Sequence, residues 1–235
     1  MKAIQKLLNF LLPPCCPICQ KRLWDNHAVC GECFGKLNFI SDAVCRKCGK
    51  PLPYKEAQVC AECLKKEPIY HRALSVLKYN EASKALILPF KHADHIELTP
   101  LLIQWMKLKG NDLISNCDCL IPVPLHISRL FKRKYNQSAL LAKGLAEIFH
   151  KDYQPSVLLR TKRTQSQGHM SPKQRKQNIK NAFKIQNPDK IKGKKVLIID
   201  DVMTTGATVN ECTKVLLKSG AVSVDILTLA RVIRD

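Results

Sequence analysis

Beyond residue 70 the chain alternates between two hydrophobic rhythms. "RALSVLKY" (72–79), "CDCLIPVP" (117–124), "KVLIID" (195–200) and "VSVDILTLARV" (222–232) are short apolar runs with β-branched residues, and they predict buried strands. "ELTPLLIQWMKLKG" (97–110), "NQSALLAKGLAEIFH" (136–150) and the stretch from about Gly206 to Ser219 repeat their apolar positions every three to four residues and predict helices. Asn136 stands where a helix N-cap is needed. "NEASKALILPFKH" (80–92) begins as a helix that Pro89 is expected to interrupt. Such alternation predicts an α/β fold, a mainly parallel sheet flanked by helices, over residues 69–235.

Residues 1–68 have no comparable rhythm. Their large apolar side chains are few: the lead-in Leu7 to Leu12, then Leu23, Trp24, Phe34, Leu37 and Phe39. Cysteine takes their place. Four Cys-x-x-Cys pairs, Cys16/Cys19, Cys30/Cys33, Cys45/Cys48 and Cys60/Cys63, allow both sulfurs of each pair to reach one tetrahedral ion at Zn–S distances of about 2.3 Å. Paired in sequence order they make two closed four-thiolate zinc sites, structural because no coordination position is left open; an interleaved pairing satisfies the same spacing. Metal must then supply much of this segment's folding energy. Cys15 lies outside the spacing, and Cys117, Cys119 and Cys212 are expected as small buried side chains. The apolar run before Pro13 and Pro14 is too short for a membrane-spanning helix, and a chain with reduced thiols and no export signal is expected in the cytoplasm.

The chain has 235 residues and a formal net charge of +20, which favours polyanionic partners. Residues 160–195 hold twelve Lys/Arg against the single acid Asp189, a net +11 in one segment. With Arg129, Lys132, Arg133, Lys134, Lys173, Arg175, Lys176 and Lys180 this segment is a candidate track for a nucleic-acid backbone. Only 6% of residues are aromatic, so such binding is expected to be mainly electrostatic.

The candidate chemistry lies in "KVLIIDDVMTTGAT". Asp200 and Asp201 end an apolar strand, where ligands of open α/β sheets bind. Thr204 to Thr208 open the next helix, whose unpaired N–H groups and dipole favour an anion. Thr204, Thr205 and Thr208 add hydroxyl donors, and Gly206 permits close backbone approach. Carboxylates repel a phosphate but accept hydrogen bonds from neutral hydroxyls beside it. A ribose 5-phosphate presents both groups.

"VLIIDDVMTTGAT" resembles the phosphoribosyl pyrophosphate (PRPP) signature of type I phosphoribosyltransferases. Together with the double zinc ribbon, "IPVPLHISRLFKRKYNQS" and "RTQSQGHMSPKQRKQNIKNAF", the chain resembles the ComF/GntX group of competence-associated proteins. The resemblance implies that Asp200 and Asp201 bind the ribose hydroxyls and take the catalytic position. It places Thr204, Thr205, Gly206, Ala207 and Thr208 around the 5-phosphate and Pro122, Val123 and Pro124 at the pyrophosphate loop. Arg163, Thr164, Gln165, Arg175 and Asn178 fall in the cover loop and the helix after it. Arg129, Arg133, Asn136 and Gln137 match the family's R-x-x-x-R-G-[FY]-N-Q pattern, with Lys134 where glycine is usual; if that position needs a positive φ, lysine strains it.

The resemblance further implies Mg²⁺ with PRPP, single-stranded DNA as a ligand, and a DNA-uptake helicase or other transformation protein as a partner of the ribbons. Thr204 replaces the aspartate of 6-oxopurine transferases and makes hypoxanthine or guanine salvage an unsuitable activity. The expected role is support of DNA uptake in natural transformation. A metabolic phosphoribosyltransferase, a non-catalytic PRPP-sensing DNA-binding regulator and a purely structural adaptor are the alternatives. His126 is the histidine to test first.

Overall fold

The computed structural model describes residues 13–23, 29–41, 43–54, 56–92, 95–162 and 171–233. The lead-in and Trp24 lie outside the described residues. Strands β1 (Arg72–Lys78), β2 (Cys119–Pro122), β3 (Asp152–Tyr153), β6 (Lys195–Met203) and β7 (Ser223–Arg231) form a five-stranded parallel sheet in the order β1-β7-β6-β2-β3. Between β3 and β6 in sequence, β4 (Leu158–Arg160) and β5 (Phe183–Ile185) pair antiparallel as a separate ribbon.

Apolar side chains alternate along the strands and fill both faces of the sheet. Leu120, Leu197, Ile199, Leu227 and Leu229 enter one core. Cys119, Ile121, Val196, Ile198 and Ile226 enter the other. A sheet buried on both faces is what parallel pairing requires, and it explains why these segments read as continuous apolar runs. Helices α3 (Glu81–His92), α4 (Thr99–Asn116) and α6 (Gln137–Phe149) contribute to the first core. Helix α8 (Ala207–Lys218) covers the second with the β4–β5 pair. As expected, Asn136 caps α6 by accepting from the Ser138 amide at 3.1 Å. Cys117, Cys119 and Cys212 are buried, and burial pushes the Cys117 and Cys119 thiols up to about 12 and 11.

Two expectations are corrected. Helix α3 runs on through Pro89 to His92. Proline removes one amide donor, but neighbouring side chains engage the last turn: the Tyr135 hydroxyl donates to the Phe90 carbonyl at 2.6 Å and the Gln137 amide to the Lys91 carbonyl at 2.9 Å. Strand β6 continues past Asp200 to Met203, because β7 stays alongside it, with Asp200 opposite Thr228 and Met203 opposite Arg231.

The amino-terminal segment clasps the sheet at β1. Phe39 bridges Leu77 antiparallel, the Ile40 amide donates to the Val76 carbonyl at 2.8 Å, and the Ala73 amide donates to the Lys47 carbonyl at 2.8 Å. Leu37, from the end of the short helix α1 (Gly31–Lys36), enters the core under α4, while Cys45, Cys48, Cys60 and Cys63 sit in the core under α8. The segment thus straddles the edge strand and covers backbone groups that would otherwise template pairing with another chain. Phe34 and Phe39 remain partly exposed but stack around Trp105 of α4, the Phe39 ring 5.3 Å from it edge-on. Among the described residues no helix is long and apolar enough to cross a membrane.

Candidate functional site

The eight paired cysteines gather into two groups, Cys16, Cys19, Cys30 and Cys33, and Cys45, Cys48, Cys60 and Cys63, with the ligand atoms of each group within 4.8 Å of one another. Pairing in sequence order is therefore the geometry found. In the first group burial works to raise Cys16, but backbone amides of Cys30, Cys19 and Ile18 outweigh it and bring the thiol down to about 6. Burial, with hydrogen bonds from neighbouring thiols, pushes Cys33 up to about 12. The second group repeats the split: Cys45 falls to about 7, while burial pushes Cys48 to about 11 and Cys63 higher still. One thiolate forms at its neighbours' expense, and a divalent cation removes that conflict. Four sulfurs with no oxygen donor fit zinc.

The second site is a crevice at the carboxyl ends of β2 and β6. From β2 the chain passes through α6 to β3 on one side, and from β6 through α8 to β7 on the other, so the strand ends diverge. On one wall Pro122 ends β2, and the Val123 amide donates to the Ile199 carbonyl at 2.9 Å. On the other stand Asp200 and Asp201. Ser138 donates to Asp200 at 3.0 Å and Lys91 pairs with Asp201 at 3.1 Å. Burial and then the Asp201 charge push the Asp200 carboxyl up to about 7, against the opposing pull of Lys91. Beyond Met203, residues 204–206 turn into α8 with Gly206 at φ 73°, a left-handed conformation that favours glycine. Gly206 offers no side-chain cap, and Thr205 Oγ1 accepts only a long 3.4 Å contact from the Ala207 amide. Thr204 to Thr208 therefore lie at the start of a twelve-residue helix, next to the two acids.

Four consecutive residues organise this crevice. Tyr135 and Gln137 fix the end of α3 that carries Lys91, Asn136 donates to the Val123 carbonyl at 3.0 Å, and Ser138 holds Asp200. Arg133 in turn donates to Gln137 at 3.3 Å. Lys134 ends helix α5 (Ile127–Arg133) with φ 64° and ψ −21°, so the position where glycine is usual does take the left-handed conformation, at a cost of about 1 kcal/mol for a side chain. His126 is the N-cap of α5, accepting from the Ser128 amide at 3.3 Å, a structural task.

Arg129 is partly buried. Burial, and then Arg133, holds its guanidinium below the usual range. Arg160, at the end of β4, is brought down to about 10 by burial and then by Arg129, while Asp200 opposes the shift. Its guanidinium stands 5.7 Å from the Phe183 ring centre. Two guanidinium groups that depress one another, one of them near Asp200, form a setting that a polyanion relieves. The β4–β5 pair also closes the base of the cover segment, the Thr161 amide donating to the Ala182 carbonyl at 2.9 Å. Past this base, α7 (Pro172–Ile179) starts from a Ser171–Gln174 capping box and carries Asn178. Arg163, Thr164, Gln165 and His169 lie outside the described residues, as do the side chains of His92, Lys132, Lys173, Arg175 and Lys176. Lys180 is exposed.

Sequence reasoning missed Lys91, Ser138 and Arg160. Lys91 was hidden by the expectation that Pro89 breaks the helix. Ser138 directly follows the Asn136–Gln137 match, and Arg160 directly precedes the cover segment, so position in the motifs was the available signal. The exposed Phe131, 80% accessible on the basic helix α5, was also passed over.

Comparison with known proteins gives the same two parts. Residues 7–64 match the double zinc ribbon domain, and residues 136–235 match the phosphoribosyl transferase domain. The chain is 32% identical over 222 residues to "Competence protein F" of Haemophilus influenzae, covering 92% of this chain and 90% of that protein. It is 33% identical over 173 residues to "DNA utilization protein YhgH" of Shigella flexneri, covering 72% and 75%. With "Competence protein ComFC" of Bacillus subtilis it shares 29% identity over 165 residues, covering 67% and 63%.

Proposed function

The chain belongs to the ComF/GntX family of competence-associated phosphoribosyltransferase-like proteins with an amino-terminal double zinc ribbon, and on that premise we propose that it supports the handling of imported DNA in natural transformation, with PRPP as ligand of the sheet crevice. A competence role is supported by the relatives' names and by the transferase fold. One observation carries the ligand reading: Asp200 and Asp201 stand beside the Gly206-led start of α8 while Ser138 and Lys91 hold them in place. The diol of a ribose donates to this carboxylate pair, and its 5-phosphate accepts from the amides of residues 205–208. Arg129 and Arg160 suit the diphosphate, whose charge Mg²⁺ would offset through oxygen ligands.

In this reading residues 1–68 and 69–235 are the two units, the ribbons dock an uptake helicase or another transformation protein, and the protein works in the cytoplasm. Single-stranded DNA runs over α5 and the basic cover segment, with Lys134 and Lys180 at exposed positions and Phe131 offering a ring for base stacking.

Titration of PRPP with Mg²⁺ into the full chain and into its Asp200→Asn, Asp201→Asn double variant, with and without single-stranded DNA, tests both sites. Loss of PRPP binding with retained DNA binding is the expected result; undiminished PRPP binding by the double variant overturns the crevice assignment. Diphosphate release in the same samples separates a transferase, which turns PRPP over with a defined acceptor, from a sensor, which binds it unchanged.

A further inference from the structure

The second zinc group lies in the core on the face of α8, whereas of the first group only the neighbours Ile18 and Val29 pack on a core, the one on the other face. Two hydrogen-bonded routes join that second group to the turn after β6. Arg231, the last residue of β7 and 93% buried, donates to the carbonyl of the ligand Cys48. It stands in register opposite Met203, the residue before Thr204, and the next amide, that of Val232, donates to the Met203 carbonyl at 2.9 Å. The second route starts from helix α2 (Ala61–Lys65), which carries Cys63 and leads to Ile69. The Ile69 amide donates to Asn210 Oδ1 at 2.9 Å, and Asn210 Nδ2 donates to the Gly206 carbonyl at 3.0 Å. Asn210 thus spends its acceptor on the segment leading out of the ribbon and a donor on the residue that opens α8.

The second group and the residues flanking the turn also share one buried cluster, which holds Cys48, Cys63, Tyr70, Met203 and Val209. A pocket of about 910 Å³ opens beside them, lined among others by Cys48, Cys63, Tyr70, Arg231, Thr205 and Asn210. Packing and the two polar links together join the second group to the turn. A four-thiolate zinc site carries a formal charge of −2, and Arg231 places a buried cation against it from the strand adjoining the turn.

We propose that zinc in the second group and an anion at residues 204–208 bind cooperatively, with Asn210 and Arg231 as the positioning residues that connect them. Zinc orders Cys48 and the segment from Cys63 to Ile69. That segment holds Asn210, and Asn210 holds Gly206 in the left-handed turn from which the anion-facing amides emerge. Reciprocity follows: an anion that orders the turn tightens the second zinc site. The first zinc group supplies an internal control, since α1 beside it docks on α4 through Phe34 and Trp105. The inference rests on reading residues 204–208 as a phosphate loop.

The test is differential thiol labelling of the zinc-loaded full chain. N-ethylmaleimide is added in the presence of EDTA, with and without saturating ribose 5-phosphate, and each cysteine is read by peptide mass spectrometry; calorimetry measures ribose 5-phosphate binding in the same preparation. Ribose 5-phosphate is expected to slow labelling of Cys45, Cys48, Cys60 and Cys63 about fivefold and to leave Cys16, Cys19, Cys30 and Cys33 unchanged. Asn210→Ala, and Asn210→Asp, which keeps an acceptor for Ile69 but loses the donor to Gly206, are expected to abolish the slowing at ligand saturation. Binding of ribose 5-phosphate with unchanged labelling of the second group, or equal slowing of both groups, overturns the coupling and leaves the phosphate loop standing. Absence of binding in the parent protein removes the phosphate loop and the coupling together.

Discussion

Leucine and isoleucine fill the space around the parallel sheet, whereas cysteine fills the centres of the ribbon, and these interiors depend on different supplies of free energy. Around the sheet, side chains such as Leu120, Ile121, Leu197 and Ile198 are fully buried, each contributing about 1.5–3 kcal/mol by leaving water. In the ribbon the buried positions are largely the cysteines themselves, and its apolar residues Leu37, Phe34 and Phe39 are used against α4 and the sheet, with Phe34 and Phe39 also 5.2 Å from one another. A conditional module is therefore fastened to an unconditional one. Zinc is expected to decide whether the edge strand β1 is covered, while the core under α3, α4 and α6 contains no zinc ligand.

The largest effect expected from that contrast is metal removal. Structural zinc sites contribute about 10–16 kcal/mol in small domains, so chelation under reducing conditions should abolish hydrogen-exchange protection in residues 29–66 while β2, β6 and β7 keep theirs. Simultaneous loss in both regions would show that the sheet is not independent of the ribbon. Next, Leu120→Ala, which opens a cavity in the core under α4 and α6, should cost about 2–5 kcal/mol in urea unfolding without releasing zinc.

Asp200 gives a smaller and opposite effect. Its folded pKa, raised to about 7 from an ordinary 3.8, means that the native state binds more protons than the unfolded chain between those values. Stability from this group is thus full below about pH 4 and declines as pH rises through 7. Asp200→Asn should stabilise the protein at pH 8, by on the order of 1–2 kcal/mol, and show no such gain at pH 4. Because the diol needs an ionised acceptor, the part of ribose 5-phosphate affinity that disappears in Asp200→Asn should fall about tenfold from pH 8 to pH 6; a pH-independent contribution would remove Asp200 from the ligand's path. The smallest effect is at Lys134, where Lys134→Gly should add about 0.5–1 kcal/mol in thermal unfolding by relieving the left-handed conformation.

Much of the sheet was legible because parallel strands buried on two faces write themselves as unbroken apolar runs, and β1, β2, β6 and β7 all appear where such runs occur. The cysteine spacing foretold the thiol groups because two residues between sulfurs is a local constraint. What depended on distant partners was not legible. The turn after Pro89 is held by Tyr135 and Gln137, more than forty positions away, which donate to the Phe90 and Lys91 carbonyls. Lys91 consequently reaches Asp201, which no local pattern reports. Arg160 and Arg129 are far apart in sequence and near in space, so their mutual influence required the folded chain. That the ribbon would straddle β1, sending Leu37 into one core and the second cysteine group into the other, was likewise written in no single segment.

Gly49 shows how narrow the tolerance of that docking is. It lies one position after Cys48 with φ 69°, and a methyl group in place of its hydrogen would sit 2.5 Å from the Ala73 carbonyl oxygen on β1. The neighbouring bond from Ala73 to Lys47 survives only at this separation. Any larger residue would pry the knuckle away from the strand, and a chain altered there would load both metals yet hold the second loosely at the sheet edge, while Leu37 and Phe39 keep the first part of the ribbon moored.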